Sequence, residues 1–191
     1  MFEEFRNCKR YTIEELRKND YQQIKKLNSN IVYFVEVPDN FKVEFLDITT
    51  GPKVTKSWKK DETLHKNPLY YDLSERFNLS DRKILYIGKG EQKNNKGYQR
   101  FIDYLEYGNG LPKSHDGGRS IWQVKDNHKL NIFFIPCQNA AFYENQLIEQ
   151  YKKINHNNKP LANRTGGSSK TTRQNCKNCP RFNICSVNKY R

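Results

Sequence analysis

Lys83-Ile84-Leu85-Tyr86-Ile87-Gly88-Lys89-Gly90 decides the fold. A short apolar run that stops at a glycine-punctuated turn reads as a strand. A second run, Ile31-Val32-Tyr33-Phe34-Val35-Glu36-Val37, is β-branched and aromatic and ends at Pro38, so it is a strand as well. Ile121–Val124 and Leu130–Ile135 read as two more.

Helices lie between and around these runs. Thr12 with Glu15 forms a capping box, and Ile13, Leu16, Ile24 and Leu27 recur at helical spacing, which predicts a helix over 12–27. Further helices are expected at 72–78, 98–107 and 139–154. The resulting order predicts an α+β fold, a small antiparallel β-sheet flanked by helices. Residues 1–29 form an N-terminal helical segment and 30–165 the main domain, with a polar insertion at about 38–82. A basic, cysteine-containing tail spans 166–191, entered through Gly166-Gly167-Ser168-Ser169.

The chain has 191 residues, enough for one ordinary domain with a small appendage. Lys and Arg number 34 against 21 Asp and Glu, a net charge of +13, which favours a phosphate-bearing partner. Aromatic residues at 13% supply the large apolar areas that a disordered polyampholyte lacks. No apolar run is long enough to cross a membrane, and the acidic start Met1-Phe2-Glu3-Glu4-Phe5 is unlike a signal peptide. An intracellular, cytoplasmic protein with no membrane partner is expected.

On a helical wheel, Ala140, Ala141, Leu147, Ile148 and Tyr151 form one apolar face of the 139–154 helix, and Glu144 falls at its centre. A buried carboxylate needs compensation, either from a cation in a cleft or from a partner Arg or Lys. Glu149 lies with Asn145, Lys152 and Lys153 on the polar face. In the 98–107 helix the wheel groups Tyr98, Phe101, Ile102 and Leu105 on one side and leaves Arg100, Tyr104 and Tyr107 projecting from the other. Arg100 follows a glycine turn carrying Lys89, Lys93 and Lys96, a rim suited to phosphate.

These residues resemble the GIY-YIG nucleases. Tyr86-Ile87-Gly88 ends a strand and Lys89 follows it. Arg100 lies in the next helix, Glu144 in a later one, and Asn163 in the loop beyond, all in the family order. Of the first family tripeptide, Ile31-Val32-Tyr33 keeps the tyrosine alone, with Tyr70 or Tyr71 as alternatives. Tyr104 stands where some restriction-enzyme members carry a His, and His115 is a substitute for it. The resemblance covers about residues 30–165.

It implies metal-dependent hydrolysis of DNA phosphodiesters. Such a site must generate a nucleophile near neutral pH and absorb charge on the transition state. By the resemblance, Glu144 would hold Mg²⁺ (or Mn²⁺), Arg100 would stabilise developing charge, and Lys89 would supplement it or lower a neighbouring tyrosine's pKa. Tyr33 would be the general base, Tyr86 would orient the nucleophile, and Asn163 would steady the site through hydrogen bonds. A free tyrosine is only about 0.1% ionised at pH 7, so this role needs adjacent cations. Cutting a palindrome would call for a homodimer, and the sequence displays no dimer element.

Beyond Glu149 there is no acidic residue, while ten Lys and Arg follow, among them Arg164, Lys170 and Arg173, which are expected with Lys93 and Lys96 to contact DNA. The same tail carries Cys176, Cys179 and Cys185 at a metal-knuckle spacing. Cys8 is the first choice for a fourth ligand, then Cys137, with His115, His128 or His156 behind. Zinc is the default ion, and the pattern with Pro180 also resembles the iron–sulfur clasp of certain nucleases. Two other functions fit the charge: a DNA-binding protein without catalysis, and an RNA-directed zinc-knuckle protein.

Overall fold

In a computed structural model, residues 5–46, 70–92, 96–111 and 118–163 are described. The chain is α+β. Its four-stranded antiparallel sheet comprises β1 (Tyr11–Thr12), β2 (Asn30–Glu36), β3 (Ile84–Gly90) and β4 (Asn131–Cys137) in the order β1-β4-β2-β3. The helices are α1 (Ile13–Lys18), α2 (Gln22–Lys25), α3 (Tyr70–Leu79), α4 (Gly97–Gly108) and α5 (Ala140–Ile154).

β2 is buried along its whole length because both faces of the sheet are covered. Ile31, Tyr33 and Val35 join the larger core, with Phe101, Tyr104 and Leu105 of α4 and with Ile13, Leu16 and Ile24 of the N-terminal segment. Val32 and Phe34 face the other core, with Leu147, Ile148 and Tyr151 of α5. The N-terminal segment is thus part of the main core, and β1 extends the sheet beyond β4. Arg10 supports this edge: its Nε donates to Glu36 Oε2 at 2.7 Å and its guanidinium lies 4.8 Å from the Phe133 ring.

Several sequence expectations need correction. The 12–27 helix is two helices. Its Thr12–Glu15 capping box is present, but Asp20 and Tyr21 take left-handed backbone angles between the two helices, and the Tyr21 hydroxyl donates to Glu106. Ile121–Val124 is not a strand: Arg119–Gln123 forms a 3-10 helix. Gly118 enters it with φ +68°, a conformation that costs glycine nothing, and the turn places Trp122 against Tyr104 with ring centroids 4.9 Å apart. Val124 keeps one isolated bridge, to Phe45. Tyr104 and Tyr107 do not project into solvent. Both are buried, because Trp122 and its neighbours cover the flank of α4 that the wheel left open.

Lys93, His115, Arg164, Lys170, Arg173, Cys176, Cys179 and Cys185, and the Gly166–Ser169 linker, lie outside the described residues, as do the side chains of Tyr70 and Tyr71. Among the described residues no helix is long and apolar enough to cross a membrane.

Candidate active site

β3 is an edge strand, and Tyr33, Tyr86, Lys89, Glu144 and Asn163 lie on or against it. Tyr86 and Gly88 point toward α4, while Ile87 and Lys89 point toward α5, as the alternation of side chains requires. From α5, Glu144 reaches back to Lys89: Nζ lies 3.7 Å from Glu144 Oε2 and 3.9 Å from Glu91 Oε2. Glu144 sits on the apolar face as the wheel requires, with Ala140, Ala141, Leu147, Ile148 and Tyr151 all buried beside it. Glu149 is on the opposite face, paired with Lys152 at 2.9 Å.

Burial pushes the Glu144 carboxyl up to about 7, with Lys89 pulling it down and Glu91 pushing it further up. Glu91 has no signal in the sequence, since an isolated acid in a polar loop looks like any solvated charge. Its influence comes from its place two residues past Lys89, on the same side of the extended chain, where its carboxylate lies 3.9 Å from the ammonium.

Tyr33 and Tyr86 meet on the opposite face, with ring centroids 5.8 Å apart. Tyr33 is stacked on Phe101 at 4.1 Å and is fully buried. Its hydroxyl has no well-formed hydrogen bond, and the Tyr86 hydroxyl is a polar neighbour whose proximity it feels. Burial, before any charge, raises the pKa of both tyrosines above the ordinary value; the negative Glu144 adds to the rise at Tyr86, and Arg100 opposes it. Lys89 is not among the groups that shift either tyrosine.

Gly88 makes this arrangement possible, because a Cβ there would stand 2.5 Å from Tyr33 Cζ and 2.6 Å from Tyr86 Cε1. No side chain fits between the two rings. Tyr104 is also buried in this face and donates its hydroxyl to the Gly118 carbonyl at 3.1 Å, so it is engaged structurally. Arg100 and Lys96 are exposed on the first turn of α4 and just before it.

No family model, curated protein or solved structure matches this chain.

Asn163 completes the edge of β3. Its Nδ2 donates to the Ile87 carbonyl at 2.7 Å and its Oδ1 accepts from the Ile87 amide at 2.9 Å. Ala162 N–H adds a bond to the Leu85 carbonyl at 2.9 Å. A side-chain amide thus stands in for a neighbouring strand, which satisfies buried main-chain groups that an edge would otherwise leave unpaired.

The donor set at Glu144 fits a hard divalent cation. Mg²⁺ binds through one or two carboxylates and fills the rest of its shell with water and phosphate oxygens. Among the described residues no three His, Cys, Asp or Glu side chains converge, so Glu144 would serve as one protein ligand in an otherwise open shell. Cys8, half-buried against the α5-side core, is disulfide-bonded.

Proposed function

We propose that this chain is a metal-dependent DNA endonuclease of the GIY-YIG type. One observation carries the reading: a buried carboxylate, Glu144, pushed up to about 7, faces Lys89 at the end of the Tyr86-Ile87-Gly88 strand. A purely structural ion pair gains most from close contact, whereas 3.7 Å leaves Glu144 poorly compensated and suited to accept a cation. The small antiparallel sheet, and a Glu144 carboxylate near enough to raise the pKa of both Tyr33 and Tyr86 although they lie on the other face, support the same reading.

In this proposal Glu144 holds Mg²⁺, which supplies charge neutralisation at the phosphate. Arg100 and Lys89 add positive charge at the same edge. Tyr33 is the general base and Tyr86 orients the nucleophile. The Tyr33 hydroxyl lacks a well-formed hydrogen bond and has the Tyr86 hydroxyl as its polar neighbour, so the general-base role requires the ring to be uncovered when substrate binds. Asn163 steadies β3. Lys93, Lys96, Arg164, Lys170 and Arg173 grip the DNA backbone, so binding weakens steeply with salt. Cys8, Cys176, Cys179 and Cys185 form a structural zinc or iron–sulfur clasp in the reduced protein.

The deciding experiment incubates plasmid and branched DNA with the protein and Mg²⁺, with Glu144→Ala alongside. Cleavage by the wild type, with the variant still binding DNA but not cutting, supports the proposal. Binding without cleavage by the wild type would favour a DNA-binding protein that kept the fold. That rival draws on the burial of both tyrosine hydroxyls, which opposes their ionisation. Parallel digestion of RNA separates the third reading. For the clasp, broad visible absorbance of anaerobic, reduced protein indicates iron–sulfur, stoichiometric zinc indicates the knuckle, and neither metal ends the idea.

A further inference from the structure

The three elements bearing Lys89, Arg100 and Glu144 are joined through one buried side chain outside the reacting set, Asn30. α4 begins without a side-chain cap from Lys96. Its first amides bond instead to the start of β2: Gly97 N–H donates to Asn30 Oδ1 at 3.1 Å, and Tyr98 N–H donates to the Ser29 carbonyl at 3.0 Å. The same Oδ1 accepts from Gln92 N–H at 3.2 Å, two residues past β3. Asn30 Nδ2 then donates to the Gln138 carbonyl at 3.3 Å, directly before Asn139, whose side chain caps α5.

Backbone packing closes the same junction. A Cβ on Gly90 would stand 2.1 Å from the Gly97 carbonyl oxygen, and one on Gly97 would stand 2.0 Å from that of Gly90. The end of β3 and the start of α4 are therefore in direct main-chain contact, with the Asn30 amide beside them. Lys89 immediately precedes Gly90, Arg100 lies three residues after Gly97, and Glu144 lies near the start of α5.

We propose that Asn30 is a positioning residue for the nuclease site: a remote cap that sets the first turn of α4, and so Arg100, against β3 and α5. The inference rests on the nuclease reading above. A helix leaves its first amides without intrahelical partners, and a first turn that loses its cap frays. Arg100 sits on that turn, so fraying displaces its guanidinium without touching Glu144. An amide suits the position because its oxygen accepts two bonds while its nitrogen donates one. The substitution Asn30→Asp would keep the two acceptor bonds and gain from the helix dipole, while setting a second oxygen against the Gln138 carbonyl in place of a donor.

The test measures cleavage of plasmid DNA by the full chain with Mg²⁺, for wild type, Asn30→Ala, Asn30→Asp, Arg100→Ala and the double variant Asn30→Ala/Arg100→Ala. Thr12→Ala, which breaks the α1 capping box away from the site, controls for simple loss of stability. Asn30→Ala is expected to lower kcat by about ten- to a hundredfold, with KM for DNA within about threefold. Asn30→Asp recovers part of that loss, Thr12→Ala cleaves as wild type, and the double variant is no worse than Arg100→Ala. Amide exchange at Gly97 speeds up in Asn30→Ala and not in Thr12→Ala. Asn30→Ser, which accepts a single amide, replaces Asn30→Ala if the latter fails to fold.

Wild-type kcat in Asn30→Ala, losses that multiply in the double variant, or an equal loss in Thr12→Ala would each overturn the proposal. A wild type that cuts neither DNA nor RNA overturns the nuclease reading itself, before any Asn30 variant is compared.

Discussion

Lys89 Nζ stands 3.7 Å from Glu144 Oε2, close enough for attraction and too far for a good hydrogen bond. Lys89 is also 3.9 Å from Glu91, so one ammonium is shared by two carboxylates. Charge compensation at Glu144 is incomplete, and burial wins: its carboxyl is pushed up to about 7.

That shift makes Glu144 a pH-dependent liability. Between about 4.5 and 7 the unfolded chain releases the Glu144 proton while the folded chain retains it, so stability falls as pH rises through this window and levels off above it. The loss is on the order of 3 kcal/mol. Glu144→Gln removes that slope and is more stable than wild type at pH 8, as urea denaturation at pH 5 and pH 8 would reveal. Added Mg²⁺ raises the wild-type Tm above pH 7 and leaves Glu144→Gln unchanged.

Lys89→Met removes the positive charge that lowers the Glu144 pKa, so the carboxyl moves further up. The rising limb of the pH–cleavage profile shifts to higher pH, and the plateau falls because a phosphate-facing cation is gone. A profile with an unmoved midpoint would contradict the coupling of these two residues.

Tyr33→Phe separates chemistry from packing. The hydroxyl has no well-formed bond to lose and the ring keeps its stack on Phe101, so stability stays within about 1 kcal/mol of wild type. Cleavage is abolished if Tyr33 is the base. Thermal melts alongside plasmid digestion give both readouts.

Gly88→Ala forces a methyl group against two aromatic rings, at 2.5 and 2.6 Å from their carbons. Overpacking of this kind costs about 1–3 kcal/mol and displaces the Tyr33–Tyr86 pair. Cleavage is expected to fall further than the stability loss explains, a difference visible well below the variant's Tm.

Asn163→Leu deletes both bonds to the Ile87 main chain and leaves a buried amide and carbonyl unpaired, at a cost of about 2–4 kcal/mol. Exchange of the Ile87 amide accelerates accordingly. The same exchange rate in wild type and variant would mean that Asn163 does not hold the edge of β3.

Local patterns in the chain announced much of this architecture. The capping box at Thr12, the β2, β3 and β4 runs and the apolar face around Glu144 follow from periodicities of about two and 3.6 residues, and neighbours along the chain enforce those. The same periodicity misplaced Tyr104 and Tyr107, because a wheel shows directions and not what covers them. Trp122 covers that flank from a segment whose β-branched residues look strand-like and whose Gly118 turn makes a 3-10 helix.

The helical wheel and the basic glycine turn mark Glu144, Arg100 and Lys89 from the residues alone, whereas Tyr33, Tyr86 and Asn163 enter only through the resemblance to a family order. Their contacts were not readable there, since Lys89 meets Glu144, Ile87 meets Asn163 and Asn30 meets Gly97 across long stretches of chain. Such meetings depend on how β3, α4 and α5 close over the two faces of one sheet. Closure also sets the desolvation that raises Glu144, because a carboxylate's pKa answers to the water and charges around it and not to its place in the chain.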